Sequence, residues 1–172
     1  MEKEIKNKVA ESGIITIMPE EYIVDGLRSE IDIKDQLFRG LILREQDFRD
    51  FIKNHNWEQY RGHYVHIHCS TDAIVPTWAY MLIAKELEGI AADIYYGSRI
   101  SMESELIRKE ISKRLEEETY RDKRVVIKGC GDKDVSIAAY IEITKKLKPH
   151  VKSIMYGEPC STVPVYKRPL RR

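Results

Sequence analysis

The feature that most constrains this chain is an alternation of short β-rich runs with longer helix-compatible stretches, beginning at Tyr64 and ending at Gly157. Tyr64 to His68, Asp93 to Tyr96, Arg124 to Lys128 and Val151 to Tyr156 read as strands. Pro76 can open a helix that continues through Thr77 to Glu88 and stops at Gly89. Ser101 to Glu118 is amphipathic, with Ser101 as N-cap and Leu106, Ile107, Ile111 and Leu115 on one face. Ser136 to Leu147 is a third helix, stopped by Pro149. Strands alternating with helices of this length make βαβ units and a parallel sheet.

The expectation is a single α/β domain over residues 1–172, built on one mostly parallel sheet with helices on both faces. Two repeated βαβ units, 63–97 and 124–157, form its body. Residues 1–60 are a small N-terminal strand/helix extension. In it, 1–13 is a charged helix, Ile14–Met18 and Ser29–Ile33 form a hairpin or small sheet, and Lys34–Asn54 is mainly helical with a break near Gly40. Residues 158–172 are a C-terminal tail that packs over the sheet edge or stays partly mobile.

The two units echo each other. Ala79, Tyr80, Ile83, Lys85, Leu87, Ile94, Tyr96 and Gly97 match Ala139, Tyr140, Ile143, Lys145, Leu147, Ile154, Tyr156 and Gly157 at one constant offset. One residue of slip brings Cys69 onto Cys130. The pattern fits a duplicated half-domain. It also fits the Leu, Ile and Gly that any two βαβ units share.

Composition narrows the function classes. Charged residues make up 33%, yet the formal net charge is only +1, so no one-sign field points to nucleic acid as a partner. Met1 to Lys8 is charged and lacks the apolar stretch of a secretory signal. No apolar run reaches the roughly 20 residues that span a bilayer, so no membrane partner is expected. Three cysteines without framework spacing argue against a disulfide-stapled secreted domain and for a reducing, cytoplasmic location. A homo-oligomer stays open.

Those cysteines are the main candidates for chemistry. Cys69 follows the first strand, Cys130 the third, and Cys160 lies three residues beyond Gly157. Ligands of open parallel sheets bind outside the carboxyl ends of the strands. If the first and third strands are neighbours, Cys69 and Cys130 face one crevice. Cys69 and Cys130 also precede helices, whose N-termini favour thiolate. Three thiolates suit zinc, iron or an iron–sulfur cluster, with His68, Asp72, Asp132 or Glu158 as a further ligand or support. Against this, Cys is often a small, buried, inert hydrophobe.

Other residues carry weaker signals. His66 and His68 alternate with Val65 and Ile67 and so share a face, as a metal pair or as hydrogen-bonded histidines in a polar layer. Gly129-Cys130-Gly131-Asp132-Lys133 could cradle an anion, but reads more simply as a tight βα turn. The tail Lys167-Arg168-Pro169-Leu170-Arg171-Arg172 could touch an acidic partner or be a solvated terminus. No spacing fixes a nucleophile–base pair.

Three stretches resemble a known bacterial family. They are Asp32-Ile33-Lys34-Asp35 with Gly40-Leu41-Ile42-Leu43, the run from Cys69 to Tyr80, and the run from Ser153 to Pro164. The chain is similar over nearly its whole length to the family called domain of unknown function 2480. The resemblance implies cysteines at Cys69, Cys130 and Cys160 and a link to iron or sulfur handling, with iron–sulfur assembly proteins as partners. It implies no reaction.

The leading expectation is a metal- or iron–sulfur-binding accessory protein with Cys69, Cys130 and Cys160 as ligands. A thiol-based redox or small-molecule-binding protein reacting through Cys130, and a non-catalytic interaction module, are the alternatives.

Overall fold

The computed structural model describes residues 13–129, 131–158 and 161–169. Among them the chain is mixed α/β, with seven strands in two sheets and four α-helices. The expected helix over residues 1–13 falls almost wholly outside the described residues.

One sheet is fully parallel. It comprises β2 (Arg28–Asp32), β3 (Tyr64–His68) and β4 (Asp93–Tyr96), with β3 in the middle. The other is mixed, in the order β1 (Ile14–Ile17), β5 (Arg124–Ile127), β6 (Ser153–Glu158), β7 (Ser161–Lys167). Its first three strands are parallel and β7 is antiparallel to β6. The single sheet expected from sequence is therefore two. The N-terminal strands make no hairpin: β1 docks on β5 and β2 on β3. Period-two alternation says which face of a strand is buried, but not which strand lies beside it.

The helices are α1 (Glu45–Asn54), α2 (Thr77–Leu87), α3 (Arg99–Arg114) and α4 (Ile137–Leu147). Lys34–Asn54 is less helical than expected. Ile33–Gln36 is a 3-10 turn, Phe38 bridges Ile42 around Gly40 at φ +71°, and only then does α1 begin. Helix α3 starts before Ser101, whose N–H donates to Ser98 Oγ at 3.2 Å, and a 3-10 turn at Glu117–Tyr120 replaces its expected last turn. The tail does cover a sheet edge, as β7.

The chain divides into two compact units. A continuous unit holds Asp25–Glu103, and a discontinuous unit holds Met1–Val24 with Ser104–Arg172. Each has its own core. In the continuous unit Ile31, Val65 and Ile67 pack with Phe48 and Ile52 of α1 and Ala79, Ile83 and Leu87 of α2. In the discontinuous unit Ile17, Val125, Ile127 and Ile154 pack with Ile107 and Ile111 of α3 and Ala139, Ile143 and Leu147 of α4. In each core cluster the strand residues come from one sheet face and pack with two helices. No helix among the described residues is long and apolar enough to cross a membrane.

Phe48 is fully buried, so Phe48→Ala should lower unfolding free energy by about 3–5 kcal/mol in denaturant melts. Burial, with Tyr120 and Glu21 nearby, pushes the Tyr22 phenol up to about 12. A raised pKa stabilises the fold below the unfolded value of about 10, and that contribution is lost as pH rises. Alkaline melts should show it draining toward about pH 12, and Tyr22→Phe should flatten that limb.

Candidate metal centre

The parallel register of β2 on β3 sets Glu30 opposite His66 and Asp32 opposite His68. Strand alternation sends Ile31, Val65 and Ile67 into the apolar core and these four polar side chains to the other face. They stand toward the carboxyl ends of the strands, where parallel sheets present ligand sites.

Their unshared electron pairs converge. His66 Nδ1 lies 3.0 Å from the Gly97 carbonyl oxygen, which can only accept, so Nδ1 donates there and, in the neutral imidazole, Nε2 is the nitrogen with the free lone pair. That Nε2 is 3.9 Å from Glu30 Oε2. His68 Nε2 is 3.5 Å from Glu30 Oε1 and is buried without a hydrogen bond. Asp32 Oδ1 accepts from the N–H groups of Lys34 and Ser70, both at 3.0 Å. Asp32 Oδ2 is buried without a hydrogen bond, although the Lys34 ammonium approaches to 3.1 Å as an ion pair. One ligand atom each from Glu30, Asp32 and His68 falls within 4.8 Å of the other two.

Burial and charge differ across the cluster. The side chains of Asp32 and His66 are only 7% and 4% exposed, whereas Glu30 is 60% exposed. Burial opposes the charge on Asp32, but the hydrogen bonds from Ser70 and Lys34 together overcome it and hold its carboxyl well below the usual range. Asp32 is thus an anion whose Oδ2 faces the Lys34 ammonium and takes no hydrogen bond.

Of the residues nominated from sequence, the described ones fall in different places. His68 joins Glu30 and Asp32. Cys69, the next residue on the chain, is half-buried and packs against the apolar cluster, with Sγ 3.3 Å from Thr71 Oγ1. It does not share the His68 cluster. Cys130 and Cys160 lie outside the described residues. The condition that the first and third strands be neighbours is not met: β3 lies between β2 and β4, and β5 between β1 and β6. Asp72 is exposed on the loop after Cys69 and stands outside the cluster. Glu158 pairs with Ser161 in the β6–β7 ladder. Glu30 and Asp32 were missed as ligands. The signal that could have found them is their i, i+2 spacing on a strand.

The glycine-rich turn in the discontinuous unit is a βα connection beside a cleft of about 520 Å3. Asp132 N–H there donates to Glu20 Oε2 at 3.1 Å, so a carboxylate of the same chain takes the amide. A Cβ on Gly131 would lie 2.1 Å from that oxygen, and one on Gly129 2.5 Å from the Tyr156 ring. Close approach explains both glycines without a ligand.

A depressed carboxyl pKa stabilises the fold above the unfolded value of about 4, and the effect is lost as pH falls below it. The stability gap between this protein and Asp32→Asn should therefore be full at neutral pH and close below about pH 4 in acid titrations followed by circular dichroism.

Comparisons with curated proteins and with solved structures give no match. A family model described as a protein of unknown function, DUF2480, matches residues 3–168. Because that match spans nearly the whole chain, including the β2 and β3 residues of the polar cluster, the protein belongs to the DUF2480 family.

Proposed function

We propose that this is a divalent-metal-binding protein whose ligands are Glu30, Asp32 and His68, with His66 Nε2 beside them. One observation carries the reading: Nε2 of His66 and Nε2 of His68 face the Glu30 carboxylate at 3.9 and 3.5 Å, and His68 Nε2 and Asp32 Oδ2 are buried without a hydrogen bond. A cation shared between neutral imidazole nitrogens and carboxylate oxygens turns their facing lone pairs into ligands, and buried charges in proteins are paired or coordinate metals. The donor set is nitrogen and oxygen, which suits zinc, manganese or iron(II). An iron–sulfur cluster is held by thiolates, and the Cys69 thiol, half-buried against the apolar cluster, is not among these donors. The exposed carboxylate of Glu30 leaves coordination positions open to water or a substrate.

An internal comparison supports a functional origin for the cluster. We infer that the two units descend from one duplicated half. Gly62 N–H donates to the Ile90 carbonyl and Ala92 N–H to that of His63; at the constant offset, Asp122 donates to His150 and Lys152 to Lys123. Tyr80 meets Tyr96 edge-on, as Tyr140 meets Tyr156. With Ile31 and Ile67 matched to Ile17 and Ile127, the positions of Glu30, Asp32, His66 and His68 are filled by Thr16, Met18, Val126 and Lys128. The same strand pairing therefore forms without the polar quartet.

Titration calorimetry with zinc, manganese and, without air, iron(II) tests the reading. One ion should bind per chain, and Glu30→Gln, Asp32→Asn and His68→Ala should each weaken binding at least about tenfold. Cys69→Ser, Cys130→Ser and Cys160→Ser should leave it unchanged. Iron with acid-labile sulfide, lost only in the cysteine variants, would replace this reading with the three-thiolate cluster that Cys69, Cys130 and Cys160 first suggested.

A further inference from the structure

A chain of net charge +1 has no general excess of cations, so a local excess calls for a reason. In the discontinuous unit the amino ends of β5 and β6 and the end of β7 enclose a cleft of about 680 Å3. Its charged lining is Arg121, Asp122, Arg124, Lys152, Lys167 and Arg168. An adjoining recess adds Lys123.

Two of these cations are already engaged. Arg168 donates to Asp122 and, at 2.6 Å, to the His150 carbonyl, while Arg121 is paired with Glu118. Arg124, Lys152 and Lys167 are exposed and have no ion-pair partner among the described residues. The local field is felt by Asp122, whose carboxyl is lowered first by the Arg168 hydrogen bond and also by Lys152 and Arg121.

The fold does not require this charge. At the matching positions of the continuous unit, Gly62, Tyr64 and Ala92 stand where this unit has Asp122, Arg124 and Lys152, and Arg61 is the one cation kept. The basic residues are an addition to one unit, on the end of its sheet away from the glycine-rich turn.

We propose that this cleft binds a small molecule carrying a polyphosphate chain, held by Arg124, Lys152 and Lys167. Its volume lies within the roughly 300–1,000 Å3 of small-molecule sites. Three exposed cations around one recess, without an ion-pair partner among the described residues, suit several phosphate groups close together. A nucleic-acid backbone would instead call for a basic stripe running along the surface.

Calorimetry on the full chain, without divalent ions, uses tripolyphosphate, ATP, sulfate and a single-stranded oligothymidylate as probes. Tripolyphosphate and ATP should saturate one site per chain, and sulfate should bind far more weakly. The triple variant Arg124→Gln, Lys152→Gln, Lys167→Gln should lose at least about tenfold in affinity with an unchanged melting temperature. Lys152→Arg and Glu30→Gln should both keep binding. No saturable binding at millimolar tripolyphosphate would overturn the proposal. So would unchanged affinity in the triple variant, loss confined to Glu30→Gln, or tighter binding of the oligothymidylate than of tripolyphosphate.

Discussion

The register of β2 on β3 is the constraint on which the candidate centre depends. Ile31, Val65 and Ile67 bury on one face of these strands, and that burial locks the pairing. A slip of one residue would turn Ile31 to the polar face and pull Glu30 and Asp32 into the core. The apolar face therefore fixes, at no further cost in sequence, that Glu30 stands opposite His66 and Asp32 opposite His68. Apolar burial in the same ladder also offsets the cost of placing His66, 3% exposed, inside the protein.

Around that register the centre is held by backbone. The Gly97 carbonyl fixes the His66 tautomer, and the Lys34 and Ser70 amides orient Asp32. Such supports set ligand geometry before any ion arrives. Lys34 has a second part: its ammonium stands at the oxygen a metal would use. In the proposed metal-bound form an ion would take over that contact, and the Lys34 side chain, 45% exposed, has solvent to move into.

The two units make different use of similar strand pairing. The continuous unit concentrates imidazole and carboxylate groups near the carboxyl ends of β2 and β3, while the discontinuous unit concentrates cations at the amino ends of β5 and β6. Near-neutral net charge conceals both, because opposite local excesses cancel in a sum over the chain.

Much of the secondary structure was legible from sequence. The tracts that became β3, β4, α2 and α4 stood out because periodicity and the breakers Gly89, Gly97 and Pro149 mark them locally. So was the common face of His66 and His68, which follows from alternation alone. Position at a strand end says nothing about direction: His68 faces Glu30, while the next residue, Cys69, packs against the apolar cluster. Strand partners were beyond local reading. Glu30 and His66 lie far apart in sequence and meet only because β2 chose β3, while β1 chose β5. The amino-acid sequence by itself determined which segments become strands and helices and which side chains share a face, since both are short-range properties of the chain. Only the tertiary structure decided that there are two sheets and that two carboxylates and two histidines meet, because strand partnership is set by how the apolar faces bury against one another.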